Sequence, residues 1–392
     1  MSDFQLDLQD TATAFADKTD AQLKEKFRLF KLLNSPFLNS IGTAFTKFAL
    51  NIGLPVEGLI KSTIFEQFCG GETIEECDKT VDELGNAKIG TILDYSIEGK
   101  STELDFDRTK DEILRTIKRA KDDPNIPFGV FKVTGIAPLG TLERLSAKKR
   151  LDAKSQAKCE RIYTRVSEIC SYAYELEQPI FIDAEDSWIQ DAIDRMATDM
   201  MEKYNRERAI VFNTLQLYRT DRLQYLKDAR RQAKADGYIL AVKLVRGAYM
   251  EKERERAAEM GYPSPVFETK AETDEAYNAA IEYCLKHYEE VAFVAATHNE
   301  DSTKLVARLM NEMNIPRDHP NIYFSQLYGM GDNISYNLSS RGYNVSKYLP
   351  YGPVADTVPY LIRRAEENSS AAGQVSRELE MIGKEMKRRK ID

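Results

Sequence analysis

Short apolar segments rich in β-branched residues alternate with longer charged segments over most of this 392-residue chain. The apolar segments have the length of strands, and those between them have the composition of helices. The predicted strands are Ile89–Ser96, Phe128–Thr134, Pro179–Asp183, Ala209–Leu217, Ile239–Arg246, Val291–Thr297, Asn321–Leu327 and Tyr343–Tyr348. Regular alternation implies a parallel sheet, and eight units in this length favour a closed (β/α)8 barrel of TIM type over an open doubly wound sheet.

The barrel is predicted to carry helical segments at both of its ends. Residues 1–88 form a predicted N-terminal helical region, residues 89–370 the barrel, and residues 371–392 a short basic tail. The apolar positions within residues 27–33 predict an amphipathic helix that docks on a larger body.

The C-terminal tail has one apolar stripe and a basic end. Val375, Leu379, Ile382 and Met386 fall along one face of a predicted helix, and five basic residues follow between positions 384 and 390. A basic amphipathic helix can lie on an anionic membrane, so peripheral membrane contact is one interpretation. A helix that docks on the protein or frays is the alternative.

Composition excludes several classes of protein. The formal net charge of −8 argues against a general nucleic-acid binder. The five cysteines have no CxxC spacing and the three histidines are scattered, so neither a disulfide framework nor a metal site is predicted. An acidic N-terminus without a signal or transit pattern favours a cytoplasmic location.

Polar residues occur at or near the ends of the predicted strands. In barrels of this class the chemistry lies at the carboxyl ends of the strands, so these residues predict a polar mouth. They are Lys132, Asp183, Glu185, Gln216, Lys243, Arg246, Thr297, His298, Asn299, Gln326 and Tyr348.

The helix predicted after the last strand carries four polar residues on one face. Tyr360, Arg363, Arg364 and Glu367 have the spacing i, i+3, i+4 and i+7. Two adjacent guanidiniums beside a phenol suit a small carboxylate, because each guanidinium presents a planar fork of donors. A solvated helix face with an ion pair is the alternative reading.

Common catalytic signatures are absent from the sequence, including GxGxxG after a strand, GxxxxGK, HExxH and GxSxG. The segment Val242–Tyr249 instead places cations before a Gly-Ala pair, where backbone could approach a phosphate or a flavin. The segment Phe324–Gly331 likewise ends a strand in a glycine-opened loop. Plain barrel turns remain the alternative for both segments.

Several of these segments together resemble the proline dehydrogenase family. The resemblance covers about Asp94 to Ser370, and its order and spacing are more specific than any single block. The blocks are Phe181–Glu185, Val242–Tyr249, Ala296–Asn299, Gln326–Gly331, and Lys347–Pro353 running into Tyr360–Arg364. The sequences of these blocks most resemble those of the monofunctional, mitochondrial-type members, which are built on a distorted (β/α)8 barrel.

The resemblance implies oxidation of L-proline to Δ1-pyrroline-5-carboxylate with noncovalent FAD, followed by transfer of electrons to a membrane quinone. It therefore implies a place beside the inner membrane, on the matrix face in a mitochondrion. The residues implied at the substrate are Lys132, Asp183, Tyr249, Tyr348, Tyr360, Arg363 and Arg364. The arginines and the lysine would bind the proline carboxylate, the tyrosines would wall the ring, and the aspartate would lie near the reacting end.

The resemblance also implies a set of flavin contacts. These residues are Asp183, Ala184, Gln216, Lys243, Val245, Arg246, Gly247, Ala248, Thr297, His298, Asn299, Gln326 and Glu367. Glu367 would lie by the cofactor or brace the two arginines. Bifunctional bacterial members often have Arg at the position of Lys243 and Trp at that of Met250, which puts a bidentate contact and a stacking contact in doubt.

Two other functions stay open at this level. Another imino acid, such as hydroxyproline, could be oxidised by the same machinery. A flavin-free barrel that binds amino acids as a sensor is the alternative from another class, and purified protein without yellow colour would favour it.

The implied ring wall gives a first prediction. Tyr348 is expected to exclude substituents on the ring, so 4-hydroxyproline should be turned over much more slowly than proline. Comparing kcat/KM for the two amino acids measures this, and equal values would contradict the assignment of Tyr348.

Overall fold

A computed structural model describes residues 6–34, 61–96, 101–149, 152–370 and 374–391. Its strands are β1 Gly90–Tyr95, β2 Gly129–Phe131, β3 Ile180–Ile182, β4 Val211–Gln216, β5 Leu240–Val245, β6 Val291–Ala296, β7 Ile322–Leu327 and β8 Val345–Tyr351. They form one eight-stranded sheet in the order β1-β8-β7-β6-β5-β4-β3-β2. With helices interleaved between the strands, this is the predicted (β/α)8 barrel class, which is confirmed.

The described helices lie before, between and after the strands. In chain order they are α1 Thr11–Ala14, α2 Asp20–Leu33, α3 Glu66–Phe68, α4 Asp78–Asn86, α5 Glu103–Lys121, α6 Leu139–Ser146, α7 Ala153–Glu175, α8 Ser187–Tyr204, α9 Arg222–Asp236, α10 Met250–Met260, α11 Lys270–Lys286, α12 Glu300–Glu312, α13 Asp332–Ser339, α14 Val354–Ser370 and α15 Gln374–Arg389. Helix α11 begins with a capping box between Thr269 and Glu272, which satisfies two backbone N–H groups at its start.

Two predicted strand ends were wrong, and both errors move site residues. Strand β2 stops at Phe131, because a 3-10 turn begins at Val133, so Lys132 follows the strand. Strand β8 continues to Tyr351, because its pairing with β1 extends to the partners Tyr95 and Tyr351. Tyr348 therefore lies in the middle of β8 and does not end it. Lys243 is likewise inside β5, two residues before its end.

The described residues cluster into two compact units, one within Gly99–Ser325 and the other formed by Gln5–Glu98 with Gln326–Asp392. In the first unit the strands are buried, as expected for parallel strands covered on both faces. An aromatic cluster fills part of its core, where the Phe128 ring stacks on Phe181 at 4.5 Å and meets Tyr323 edge-on at 4.9 Å.

In the second unit the C-terminal helix α15 is packed against the protein. Val375 and Ile382 are buried in a cluster with Phe30 and Leu33 of α2, and Leu379 and Met386 pack partly against it. The predicted apolar stripe is therefore real, but it faces the protein, so its membrane-facing interpretation was wrong and the docked alternative is correct. No helix within the described ranges is long and apolar enough to cross a membrane.

The second unit also buries a group of charges from four elements. Asp332, at the start of α13, accepts hydrogen bonds from Lys347 of β8 at 2.7 Å and from Lys26 of α2 at 2.5 Å. Glu378 of α15 accepts from the backbone N–H of Gly331 at 2.6 Å. A buried charge that loses its partner is strongly destabilising. The contacts of Lys26 and Glu378 therefore hold α2 and α15 to the segment that follows β7.

The docked helix gives a second prediction. Ile382→Ala should lower the free energy of unfolding by about 2–5 kcal/mol, because it leaves a cavity at a fully buried position. Urea unfolding measures the change, and Lys387→Ala, at an exposed position of the same helix, is the control. An unchanged urea midpoint together with lost liposome binding would restore the membrane interpretation.

Candidate active site

A buried carboxylate lies beside two lysines where β3 and β5 approach their ends in the first unit. Lys243 Nζ donates a hydrogen bond to Asp183 Oδ1, and Lys132 Nζ lies 4.0 Å from Asp183 Oδ2. The Lys132 side chain is 18% exposed, whereas that of Lys243 is 6% exposed. Lys132 is therefore the more accessible of the two cations, and it suits a ligand that carries a negative charge.

The guanidinium of Arg246 is fixed by three side chains and an aromatic ring. Its Nε donates to Asp274 Oδ1 at 2.7 Å, and its two terminal nitrogens donate to Thr297 Oγ1 at 2.6 Å and to Ser302 Oγ at 2.9 Å. The Tyr277 ring lies 4.3 Å below the guanidinium. A cation held in this way is oriented before any ligand arrives, which lowers the entropy lost on binding.

The turn after β5 leaves backbone open to approach. Gly247 and Ala248 are exposed, and Gly247 has a φ of +141°, a conformation that side chains rarely adopt. A Cβ at Gly247 would lie 2.5 Å from the Tyr218 ring, so only glycine fits there. Gln216 supports the turn by accepting a hydrogen bond from the Ala248 N–H at 3.3 Å.

Glu185 is a buried carboxyl beside these groups. Its oxygens accept hydrogen bonds from Thr134, one from the backbone N–H at 3.0 Å and one from the hydroxyl. Burial raises the pKa of Glu185 to about 7, although the Thr134 hydrogen bonds and nearby Lys132 act in the opposite direction. A carboxyl with a pKa raised so far by its surroundings is typical of functional sites.

The residues after β6 form hydrogen bonds that stabilise the start of the next helix. Asn299 caps α12 by accepting a hydrogen bond from the Ser302 N–H at 2.9 Å, and its own N–H donates to Thr297 Oγ1 at 3.0 Å. Thr297 is buried, while His298 and Asn299 are half-buried. Ala184, Val245 and Tyr249 are half-buried as well, so each retains a surface that a ligand could cover.

The second unit holds the remaining predicted residues. Gln326 is buried and accepts a hydrogen bond from Ser335 Oγ at 2.8 Å. Tyr348 is buried in β8, and Tyr360 is buried on α14. Helix α14 continues through Arg363, Arg364 and Glu367, whose side chains lie outside the described part of the structure, so their roles stay predictions.

Sequence reasoning missed the residues that hold the site together. Asp274 and Ser302, which bind Arg246, stand on α11 and α12, far along the chain from the cation they orient. Thr134, which binds the side chain of Glu185, also lies far from it along the chain. No local spacing marks such residues, because their role depends on which helices and loops pack together.

Comparisons with known proteins agree on one family. The family model described as proline dehydrogenase matches residues 77–377. The chain belongs to the proline dehydrogenase family. It is 31% identical over 98% of its length to proline dehydrogenase 1, mitochondrial, of Dictyostelium discoideum, covering 75% of that protein. It is 36% identical over 86% of its length to the carbapenem antibiotics biosynthesis protein CarD of Pectobacterium carotovorum, covering 87% of that protein.

A solved structure supports the fold of this proline dehydrogenase family member. Proline utilization A (PutA) from Bdellovibrio bacteriovorus, inactivated by N-propargylglycine, matches with a TM-score of 0.72 at 21% identity. The match covers 93% of this chain and 38% of that one, so the chain spans about two fifths of PutA. The match therefore concerns the fold alone, and it agrees with the (β/α)8 barrel.

The residues at this site fit FAD, the cofactor implied by the family resemblance. The exposed backbone of Gly247 and Ala248 offers a close approach, and a Cβ would not fit at Gly247. The fixed cation Arg246, together with Lys243, suits an electron-rich ligand. Gly247→Ala should lower both flavin retention and stability, the latter by about 1–3 kcal/mol, because it combines a strained φ with a clash.

Flavin absorbance per protein and thermal unfolding measure the effect of Gly247→Ala. The control is Gly140→Ala on α6, where an added Cβ meets nothing within 4 Å. That control should keep its flavin and be as stable as the parent or slightly more so. Equal flavin content in both variants would contradict the close-approach role of Gly247.

Proposed function

We propose that this chain uses FAD to oxidise L-proline to Δ1-pyrroline-5-carboxylate and passes the electrons to a membrane quinone. The observation that carries the proposal is the Asp183 carboxylate paired with Lys243 and approached by the more accessible Lys132. Membership of the proline dehydrogenase family supports the substrate. The quinone, and a peripheral place at an inner membrane, rest on the family resemblance.

The protein's part in the reaction is to bind and orient proline. Lys132 together with Arg363 and Arg364 would bind the carboxylate, since guanidiniums match the two oxygens of one carboxylate. Tyr249, Tyr348 and Tyr360 would wall the five-membered ring. Holding a substrate in a reactive orientation can lower the barrier by several kcal/mol, so these residues would act through position.

The cofactor supplies the chemistry that side chains lack. When bound, FAD would supply the hydride acceptor that the oxidation of proline at C5 needs. Lys243, Arg246, and the turn Gly247–Ala248 would hold it in the first unit. The ring nitrogen of proline must be unprotonated when the hydride leaves, because its lone pair forms the C=N bond of the product.

One relative is named for carbapenem antibiotics biosynthesis, so related chains carry names from more than one pathway. The substrates to test are therefore proline, hydroxyproline and other ring-substituted prolines. Purified protein should be yellow, and its flavin absorbance should bleach when proline is added without oxygen. Protein that stays colourless after incubation with FAD would contradict the proposal.

The arginine pair gives a prediction of its own. Arg363→Met and Arg364→Met, made singly, should each raise the KM for proline by about tenfold to a hundredfold, because each removes charge-assisted hydrogen bonds to the carboxylate. Flavin content should stay near that of the parent. Steady-state kinetics and flavin absorbance measure the two quantities, and an unchanged KM in both variants would refute the carboxylate assignment.

A further inference from the structure

We infer that Glu185 is a positioning residue, which sets the places of Lys132 and Gln216 by joining the ends of β2, β3 and β4. The inference rests on the proposed function, since it concerns how that site is held. In the sequence Glu185 is one of the polar residues near strand ends, and the family resemblance implies no role for it at the substrate or the flavin.

The side chain of Glu185 joins the segment after β3 to the segment after β2. Its carboxyl accepts the N–H of Thr134 at 3.0 Å and also the Thr134 hydroxyl. Thr134 lies two residues after Lys132, in the 3-10 turn that follows the strand. Because both carboxyl oxygens are engaged by one residue, the turn cannot shift without breaking two hydrogen bonds to a buried carboxyl.

The backbone of Glu185 joins the same segment to β4 and to the turn after β5. Its carbonyl accepts from Gln216 Nε2 at 2.7 Å, and the other end of the Gln216 amide accepts from the Ala248 N–H. Its N–H donates to Gln190 Oε1 at 2.8 Å. A single residue thus contacts the supports of both the proposed substrate cation and the proposed flavin turn.

The hydrogen bond from the Glu185 N–H to Gln190 is part of a buried network that holds the backbone after β3 in place. Gln190 Nε2 donates to Asp194 Oδ1 at 2.8 Å, and Arg222 donates to Asp194 Oδ2 at 2.6 Å. Gln190, Asp194 and Arg222 are all buried. The backbone of Glu185 is therefore anchored to helices α8 and α9, which leaves its carboxyl as the group that sets the turn after β2.

The charge on Glu185 also bears on Lys132. Lys132 and Asp186 act on its carboxyl, and Asp183 and Lys243 complete the charged groups around it. Thr134 can hydrogen-bond either form, because its hydroxyl donates to a carboxylate or accepts from a carboxylic acid. Ionisation therefore adds a negative charge near Lys132 and opposes the binding of an anion there.

The test uses the flavin-loaded enzyme and a proline analogue with oxygen in place of the ring nitrogen. This probe has a carboxylate and no amine, so it does not titrate between pH 6 and pH 8. Its Kd, followed by flavin absorbance, should rise severalfold for the parent enzyme as the pH rises through about 7, where Glu185 ionises. In Glu185→Gln the Kd should be nearly independent of pH and close to the low-pH value of the parent.

Geometry is tested separately from charge. Glu185→Ala removes both hydrogen bonds to Thr134, whereas Glu185→Gln keeps them. The Kd of the alanine variant for the probe should therefore be about tenfold higher than that of the glutamine variant at every pH. Glu168→Gln, in an exposed pair with Lys110, is the control and should keep the pH profile of the parent. If the alanine variant does not fold, the pH dependence of the Kd in Glu185→Gln still tests the role of Glu185.

The two proposals fail in different ways. A parent profile that Glu185→Gln leaves unchanged, or equal affinities for the alanine and glutamine variants, would overturn the role of Glu185. A parent enzyme that binds no FAD or does not oxidise proline would instead overturn the proposed function.

Discussion

Burial of parallel strands on both faces is the constraint on which this structure depends. All six residues of β4 are buried, so polar side chains on the strand must find partners inside the protein. In the first unit the polar side chains near the carboxyl ends of the strands have such partners, and Gln216, Asp183 and Arg246 are all hydrogen-bonded. The barrel thereby gathers polar groups at the carboxyl ends of its strands, which is where barrels of this class carry their chemistry.

The same need for partners makes the candidate site rigid before any ligand binds. Asp183 is hydrogen-bonded to Lys243, and Arg246 is held by Asp274, Thr297 and Ser302. Buried polar networks of this kind are strong when every member is satisfied. Glu185 extends the principle, because its side chain and backbone both bind neighbouring segments. The hydride transfer proposed for this site would benefit from such rigidity, since its rate depends on the distance between the reacting atoms.

The second unit shows how one sequence pattern can serve two purposes. An apolar stripe with a basic end is expected of a membrane-surface helix and equally of a helix docked on a core. Phe30 and Leu33 cover the stripe on α15, and Arg388 and Arg389 are bonded to Glu385 of the same helix. The apolar surface of α2 is what distinguishes a docked helix from a membrane-surface helix here. The sequence of the tail alone contains no information about that surface.

The sequence by itself determined the alternation of strands and helices, and with it the barrel class. It also determined which polar residue types stand near strand ends, because period and composition are local properties of the chain. Only the tertiary structure decided that β2 stops before Lys132, that Tyr348 lies inside β8, and that Thr134 binds Glu185. Strand ends depend on pairing with a neighbour, and hydrogen-bond partners depend on packing between distant segments, so neither is written in local sequence.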